Sequence, residues 1–196
     1  MENKDIIHFL VGNRIPRDFF VTAGTGESDL TIHAGSYHLA LKNAGIEMCN
    51  IMTYSSILPG IATEIPHPKE LLHGSVMESI LSVCNVKQGQ RGTAGIVYGW
   101  INERKTKKLY GGLVCEIVGD YSSEELKQKL QLSLDELYFN GYSERFEFKS
   151  THFLIESIIP KKNYGTALVA LCFVNYEYPI LRGEFNGESK LQSNGN

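Results

Sequence analysis

Two adjacent serines, Ser55 and Ser56, interrupt the stretch Asn50-Ile-Met-Thr-Tyr-Ser-Ser-Ile-Leu-Pro59. A serine hydroxyl held against the preceding carbonyl can attack it and convert the amide into an ester. A strained turn raises the ground state for that attack, and fixed orientation supplies effective concentration. β-Elimination from the ester leaves dehydroalanine, which hydrolyses to a pyruvoyl group at a new N-terminus. The first step develops an oxyanion that needs a hydrogen-bond donor, a role open to the side-chain amide of Asn50. Serine pairs are also common at strand ends, so composition alone favours a plain structural turn here.

A second candidate is Glu116, in Leu113-Val-Cys-Glu-Ile-Val118, where strand alternation sets Val114, Glu116 and Val118 on one face. A carboxyl among apolar neighbours has a raised pKa and can hold a proton for donation. The alternative is an edge-strand glutamate facing solvent. Glu78, within Val76-Met-Glu-Ser-Ile80, reads as interfacial or structural. Other chemistries find little support. There is no G-x-S-x-G elbow, and Gly24-Thr-Gly26 lacks the Gly-Lys-Ser/Thr of a phosphate loop. Cys49, Cys84, Cys115 and Cys172 lie far apart, with no C-x-x-C pair and no histidine at ligand spacing, so no metal is expected. Cys115 and Cys172 sit in apolar runs and read as small buried hydrophobes.

The elements that must position these groups follow from periodicity. Asp18–Ala23 reads as a strand closed by a flexible turn at Gly24-Thr25-Gly26. Ser28 or Asp29 is the expected cap of a helix reaching about Ala44, stopped by Gly45 and burying Tyr37, Ala40, Leu41 and Ala44. Ile46–Tyr54 is a strand candidate, broken at Ser55-Ser56. Strand-like runs follow at about 74–86, 93–103 and 110–119, with a hairpin over Asn102–Lys108. Ser122-Ser-Glu-Glu125 is a capping box for a helix through Leu137, with Leu126, Leu130, Leu134 and Leu137 as its buried stripe and Gly141 as its stop. Two long strands, 144–158 and 164–177, close the chain. Two helices and six or seven strands imply an α+β fold with helices on antiparallel or mixed sheet.

The chain has 196 residues, 42% of them hydrophobic, and a net charge of −3. That length fits one domain, and the charge argues against a nucleic-acid partner. No apolar run is long enough to span a bilayer, and no secretory leader pattern opens the chain, so membrane association is not expected and the expected location is cytoplasmic.

Taken in order, Val21-Thr-Ala-Gly24, Asn43-Ala-Gly-Ile46, Asn50 with Ser56 six residues on, Ser55-Ser-Ile-Leu-Pro59, His73-Gly74, Gly111-Gly112 leading to Glu116, and Gly165 with Ala167–Phe173 make a recognisable set. Over about Phe19 to Tyr178 the chain resembles the pyruvoyl-dependent arginine decarboxylases. The resemblance implies a four-layer αββα sandwich, assembled as a trimer with sites between neighbouring subunits. It implies cleavage at Ser55–Ser56, giving a β chain of 1–55 and an α chain of 56–196 headed by a pyruvoyl group made from Ser56, with neither metal nor pyridoxal phosphate. The expected organisation is then a lead-in over 1–17, the decarboxylase domain over 18–180 and a polar tail over 181–196. The implied chemistry is a Schiff base between the pyruvoyl keto group and an amino-acid substrate, then loss of carbon dioxide. Glu116 falls at the family's proton donor and Asn50 at its pocket asparagine, while Ser55 borders the substrate.

One position departs from the family. Arginine-specific relatives carry an aspartate on the first helix twelve residues before the pocket asparagine, and here that register holds His38. An imidazole cannot offer the anionic, bidentate partner that a guanidinium prefers. Glu27, Asp29 or Glu47 are possible substitutes, and His38 as imidazolium would instead suit an uncharged or acidic side chain. Arginine to agmatine remains the leading reaction. A different amino acid, or an uncut homologue that only binds or builds, is the alternative.

Overall fold

In the computed structural model, which describes residues 11–180, chain order is set by two sheets that exchange strands. The elements are β1 (Ile15–Pro16), β2 (Asp18–Ser28), a π-helical turn (Ile32–Tyr37) running into α1 (His38–Asn43), β3 (Asn50–Thr53), β4 (Ile57–Pro59), β5 (Thr63–Glu64), β6 (Val76–Lys87), β7 (Gly92–Glu103), β8 (Leu109–Gly119), α2 (Ser123–Gly141), β9 (Phe146–Ile158), β10 (Tyr164–Phe173) and β11 (Tyr176–Glu177). One sheet has the order β3-β6-β10-β2-β5 and the other β4-β8-β7-β9, with β1 and β11 forming a small third ladder. The first sheet is mixed, since β3–β6 and β2–β5 pair parallel. The fold is a single-domain α+β arrangement, mostly sheet, with two helices.

Three apolar clusters hold the elements together. Phe19, Ile80, Val169 and Leu171 of the first sheet meet Leu58, Ile96, Tyr98 and Val114 of the second. Phe20, Leu168, Ala170 and Cys172, on the opposite face of β2 and β10, pack against Ala40, Leu41 and Ala44 of the first helix. Leu126, Leu130, Leu134 and Tyr138 of α2 cover Val97, Ile101, Leu113 and Cys115. Strand β10 is covered on both faces, which is why its sequence is a continuous apolar run rather than an alternation. Cys84, Cys115 and Cys172 are buried as free thiols.

Several local expectations are corrected. The glycines at 24 and 26 do not end β2, which continues to Ser28. They let the first helix lie directly on the strand, because a Cβ at Gly24 or Gly26 would run into the carbonyls of Ala40 or Ser36. The helix starts later than expected. Ser28 Oγ accepts from the N–H groups of Leu30 and Thr31 at 3.2 and 3.4 Å, building a turn instead of a cap. Ser36 N–H then reaches Thr31 O in the wide π pattern. Gly45 does stop the helix, at φ 72°, with its N–H on Lys42 O and Ile46 N–H on Leu41 O, the pairing of a Schellman motif. β3 is confined to Asn50–Thr53, because Ile46–Cys49 is taken up by the turn leaving that motif. α2 carries the expected capping box but runs on to Gly141, and Tyr138 takes the place given to Leu137 in its buried stripe. The final strand breaks after Phe173, and Tyr176–Glu177 pairs with Ile15–Pro16 of the expected lead-in. The polar tail 181–196 and residues 1–10 of the expected lead-in lie outside the described residues.

Glu78 is 2% exposed and pairs with Arg14, whose guanidinium also lies 5.3 Å from the Tyr176 ring centre. The Arg14 pKa is raised, first by a hydrogen bond with Tyr54. This cluster ties the N-terminal segment to β6 and to the residue two before Ser56.

Candidate active site

The chain leaves the first sheet at Thr53 and enters the second at Ile57, so Tyr54–Ser56 is the crossing. Tyr54 is held by its N–H on Ser79 O at 2.9 Å and by its ring against Phe173, 5.8 Å between centres. Ser56 occupies a bend in which Ile57 N–H donates to Ser55 O at 3.0 Å, a three-residue turn centred on Ser56. Val114 N–H donates to Ser56 O at 3.0 Å. The carbonyls on both sides of the Ser56 α-carbon are thus each fixed by a backbone amide.

β4 pairs with β8 only from Leu113↔Ile57 to Gly111↔Pro59, leaving the edge of β8 beyond Val114 free of a strand partner. Glu116 lies on that free stretch. Ser56 Oγ–H donates to its carboxylate, at 3.0 Å to Oε2 and 3.3 Å to Oε1. Burial pushes the Glu116 carboxyl above its ordinary pKa, and the Ser56 hydroxyl pulls it back in part. A cavity of about 400 Å³ opens on this pair, lined by Ser56 and Glu116 on one side and by Ser133, Glu136, Leu137 and Asn140 of α2 on the other. Of those four α2 positions only Leu137 was singled out from sequence, and as part of the buried stripe rather than as a site residue. Their spacing of three, one and three residues is that of one helix face, but nothing in the sequence says which strand it meets.

The other expected site residues lie elsewhere in the chain. Asn50 Nδ2 donates to Gly74 O at 2.9 Å, and no hydrogen bond joins it to Ser56 or Glu116 among the described residues. His38 is exposed and borders a separate cavity of about 420 Å³ with His33, Tyr37 and Leu41. Glu47 is half-buried in the turn after the Schellman motif. Ser55 is exposed. Glu27 accepts from the N–H groups of Lys161 and Lys162 at 3.0 and 3.2 Å, and Asp29 accepts from Asn163 N–H at 3.4 Å. Both acids are therefore committed to the β9–β10 loop. No group of three or more metal-ligating side chains occurs among the described residues.

Chemically, the arrangement pairs a hydroxyl with a proton acceptor and sets a polarising amide on the carbonyl that the hydroxyl would attack. It also fits a pyruvoyl group in place of Ser56. The β-hydroxyl needed to form it is present, and the carbonyl held by Val114 N–H is the one that would stand beside the keto carbon.

Known proteins resemble the chain over most of its length. The family model of the pyruvoyl-dependent arginine decarboxylases matches residues 18–178. The chain is 31% identical over 188 residues to the pyruvoyl-dependent arginine decarboxylase AaxB of Chlamydia abortus, covering 85% of this chain and 94% of that protein. Its identity to AaxB of Chlamydia muridarum is 32% over 190 residues, with the same coverage of 85% and 94%. With the pyruvoyl-dependent arginine decarboxylase 2 of Methanosarcina mazei it shares 34% over 134 residues, covering 62% of this chain and 72% of that protein.

Proposed function

The chain belongs to the pyruvoyl-dependent arginine decarboxylase family, whose members are carboxy-lyases, and on that premise we propose that it cuts itself at Ser55–Ser56 and decarboxylates L-arginine to agmatine. The observation that carries the reading is the Ser56 hydroxyl on Glu116 at 3.0 Å, at a bend where Ile57 N–H already bonds the Ser55 carbonyl.

Self-cleavage starts when Glu116 takes the Ser56 hydroxyl proton and Oγ bonds to the Ser55 carbonyl carbon. Ile57 N–H stabilises the oxyanion, a part that the sequence offered to Asn50. The Ser55–Ser56 C–N bond then breaks, the leaving nitrogen taking the proton that Glu116 had accepted, and an ester remains. Loss of the Ser56 α-proton and of the Oγ–Cβ bond releases the Ser55 carboxylate and leaves dehydroalanine. Water hydrolyses that to the pyruvoyl terminus and ammonia.

The pyruvoyl group supplies an electrophilic keto carbon and a neighbouring carbonyl that accepts the electron pair left by carbon dioxide. Val114 N–H holds and polarises that neighbouring carbonyl. Glu116, its carboxyl raised by burial, holds the proton that returns to the substrate α-carbon.

We read the two sheets with their covering helices as the family's four-layer αββα sandwich, and the mature protein as a cytoplasmic trimer of cut αβ units. Two features support assembly. Asn50, His38 and Glu47 do not line the Ser56 cavity of their own chain, which suits a site completed by a neighbour. Apolar side chains beside the crossing are exposed, including Met52 at 52%, Ile57 at 51% and Val76 at 59%. Asn50 would then orient substrate at the neighbouring site, and His38, Glu47 and Ser55 would border it.

Intact-mass spectrometry of the denatured protein tests the first step. Fragments 1–55 and 56–196, the latter with a pyruvoyl terminus, are the expected result, and Ser56→Ala should give one chain without activity. A wild-type chain that stays uncut after long incubation would favour a non-catalytic homologue.

A further inference from the structure

The cavity at Ser56 holds a second carboxylate that the chemistry above does not use. Glu136 lines it from α2, opposite Glu116. The other acids of α2 all have local partners. Glu125 closes the capping box with Ser122, Glu124 accepts from Gln128 at 3.4 Å, and Asp135 accepts from Gln131 at 2.8 Å. Glu136 has no hydrogen bond or ion pair among the described residues. On a helix a glutamate can pair with a basic residue three or four positions away. The positions that could serve are Leu132, Ser133, Phe139 and Asn140, none of them basic. The helix lysines Lys127 and Lys129 instead lie over the rings of Phe153 and Tyr121, at 5.5 and 4.9 Å.

We propose that Glu136 is the specificity anion of this site, its carboxylate receiving the guanidinium of the substrate beside the polar side chains of Ser133 and Asn140. The proposal rests on the reading of Ser56 and Glu116 as the reacting pair and adds the group that recognises the far end of the substrate. Two carboxyl groups facing one cavity then divide the work. Glu116 is partly buried and bonded to Ser56, which suits proton transfer. Glu136 is exposed at the cavity wall, where a planar, bidentate partner can approach it from solvent. Within the same chain the other acids are poorly placed for this role. Glu27 and Asp29 hold a loop, Glu78 is paired with Arg14, and Glu47 does not line the cavity, so Glu47 reaches only a neighbour's site in the proposed trimer. His38, even at a neighbour's site, offers no anion.

The test uses the full processed chain and two probes. Agmatine, which has the guanidinium but no carboxylate to lose, is titrated calorimetrically into wild type and Glu136→Gln. L-Arginine and its neutral isostere L-citrulline are compared in turnover. The variant is expected to weaken agmatine at least about tenfold, and to raise KM for arginine by a similar factor while kcat changes less than about threefold. Its preference for arginine over citrulline should shrink accordingly, and Glu136→Asp should recover part of the loss. Because Glu136 is exposed, Glu136→Gln should melt with wild type, which separates lost recognition from lost folding. Equal agmatine affinity in the two proteins, or none in wild type, overturns the assignment. Agmatine binding that depends on Glu136 in a protein unable to turn over arginine would keep the guanidinium site and remove the decarboxylation reading.

Discussion

On the proposed reading, Glu116 acts in opposite protonation states in self-cleavage and in turnover. In the uncut chain the Ser56 hydroxyl donates to it, so cleavage needs the carboxylate. Turnover needs the acid. Burial raises its pKa, which moves the boundary between the two regimes upward. Cleavage should therefore accelerate as pH rises through the Glu116 pKa, whereas turnover by already cut protein should decline above it. Glu116→Gln should flatten both limbs, cut slowly, and lose turnover by about 10²–10⁴-fold; full activity would rule out the proton-donor role. The stability sign is separate. A carboxyl raised above its unfolded value contributes stability below the unfolded pKa and loses it as pH rises through the folded pKa. Glu116→Gln should accordingly melt no lower than wild type at neutral pH, read by calorimetry. Ser56 and Glu116 were both candidates in the sequence, though the family resemblance rather than the serine pair or the apolar alternation singled them out. The structure brings the two side chains together. Their immediate partners were not legible in the sequence. Ile57 and Val114 act through backbone amides, which leave no side-chain signature, and Asn50 turned out to be bonded to Gly74.

Elements were most readable where local rules and packing agree. The α2 capping box, the Gly45 stop and the long runs of β6–β10 follow from patterning, give or take a few end residues. The first helix was harder. Its glycine-rich approach looks like a flexible turn because local propensity cannot reveal that a helix will lie on that strand. The substitution Gly24→Ala tests this explanation. The added Cβ meets the Ala40 carbonyl, so the helix must shift or the pair must separate, at a cost of about 1–3 kcal/mol. A melting temperature equal to wild type would show that the close approach is not required. Ser122→Ala is the contrasting case. It removes the α2 cap and should cost about 1 kcal/mol, yet leave cleavage rate and KM unchanged. The cap lies at the far end of α2 from Glu136 and Asn140, so altered substrate affinity in Ser122→Ala would mean that fraying reaches the cavity wall.

At the scale of the molecule, the proposed cut at Ser55–Ser56 would separate the sequence without separating the fold. The segment before it supplies β2, the first helix and β3. β2 pairs with β10 from Phe19↔Phe173 to Ser28↔Tyr164, and β3 pairs with β6 from Asn50↔Val76 to Thr53↔Ser79. Phe19, Phe20, Ala40 and Ile46 of this segment have no exposed surface. Its departure would uncover the face of β10 that the first helix covers and the edge that β2 holds, and leave Glu78 without Arg14. Burial of that apolar surface, at about 25 cal/mol per Å², adds to the ladder of β2 on β10 in holding the two pieces together. The two fragments should therefore co-elute on native gel filtration in high salt, which screens surface ion pairs but strengthens apolar contact, and should part only in denaturant. Removing the connecting bond makes reassembly bimolecular, so refolding from denaturant should become concentration-dependent in the cut protein and stay first-order in Ser56→Ala below any oligomerisation threshold. Release of the 1–55 fragment under native conditions would mean that the pairings from Phe19 to Ser28 do not hold the molecule together once the chain is cut.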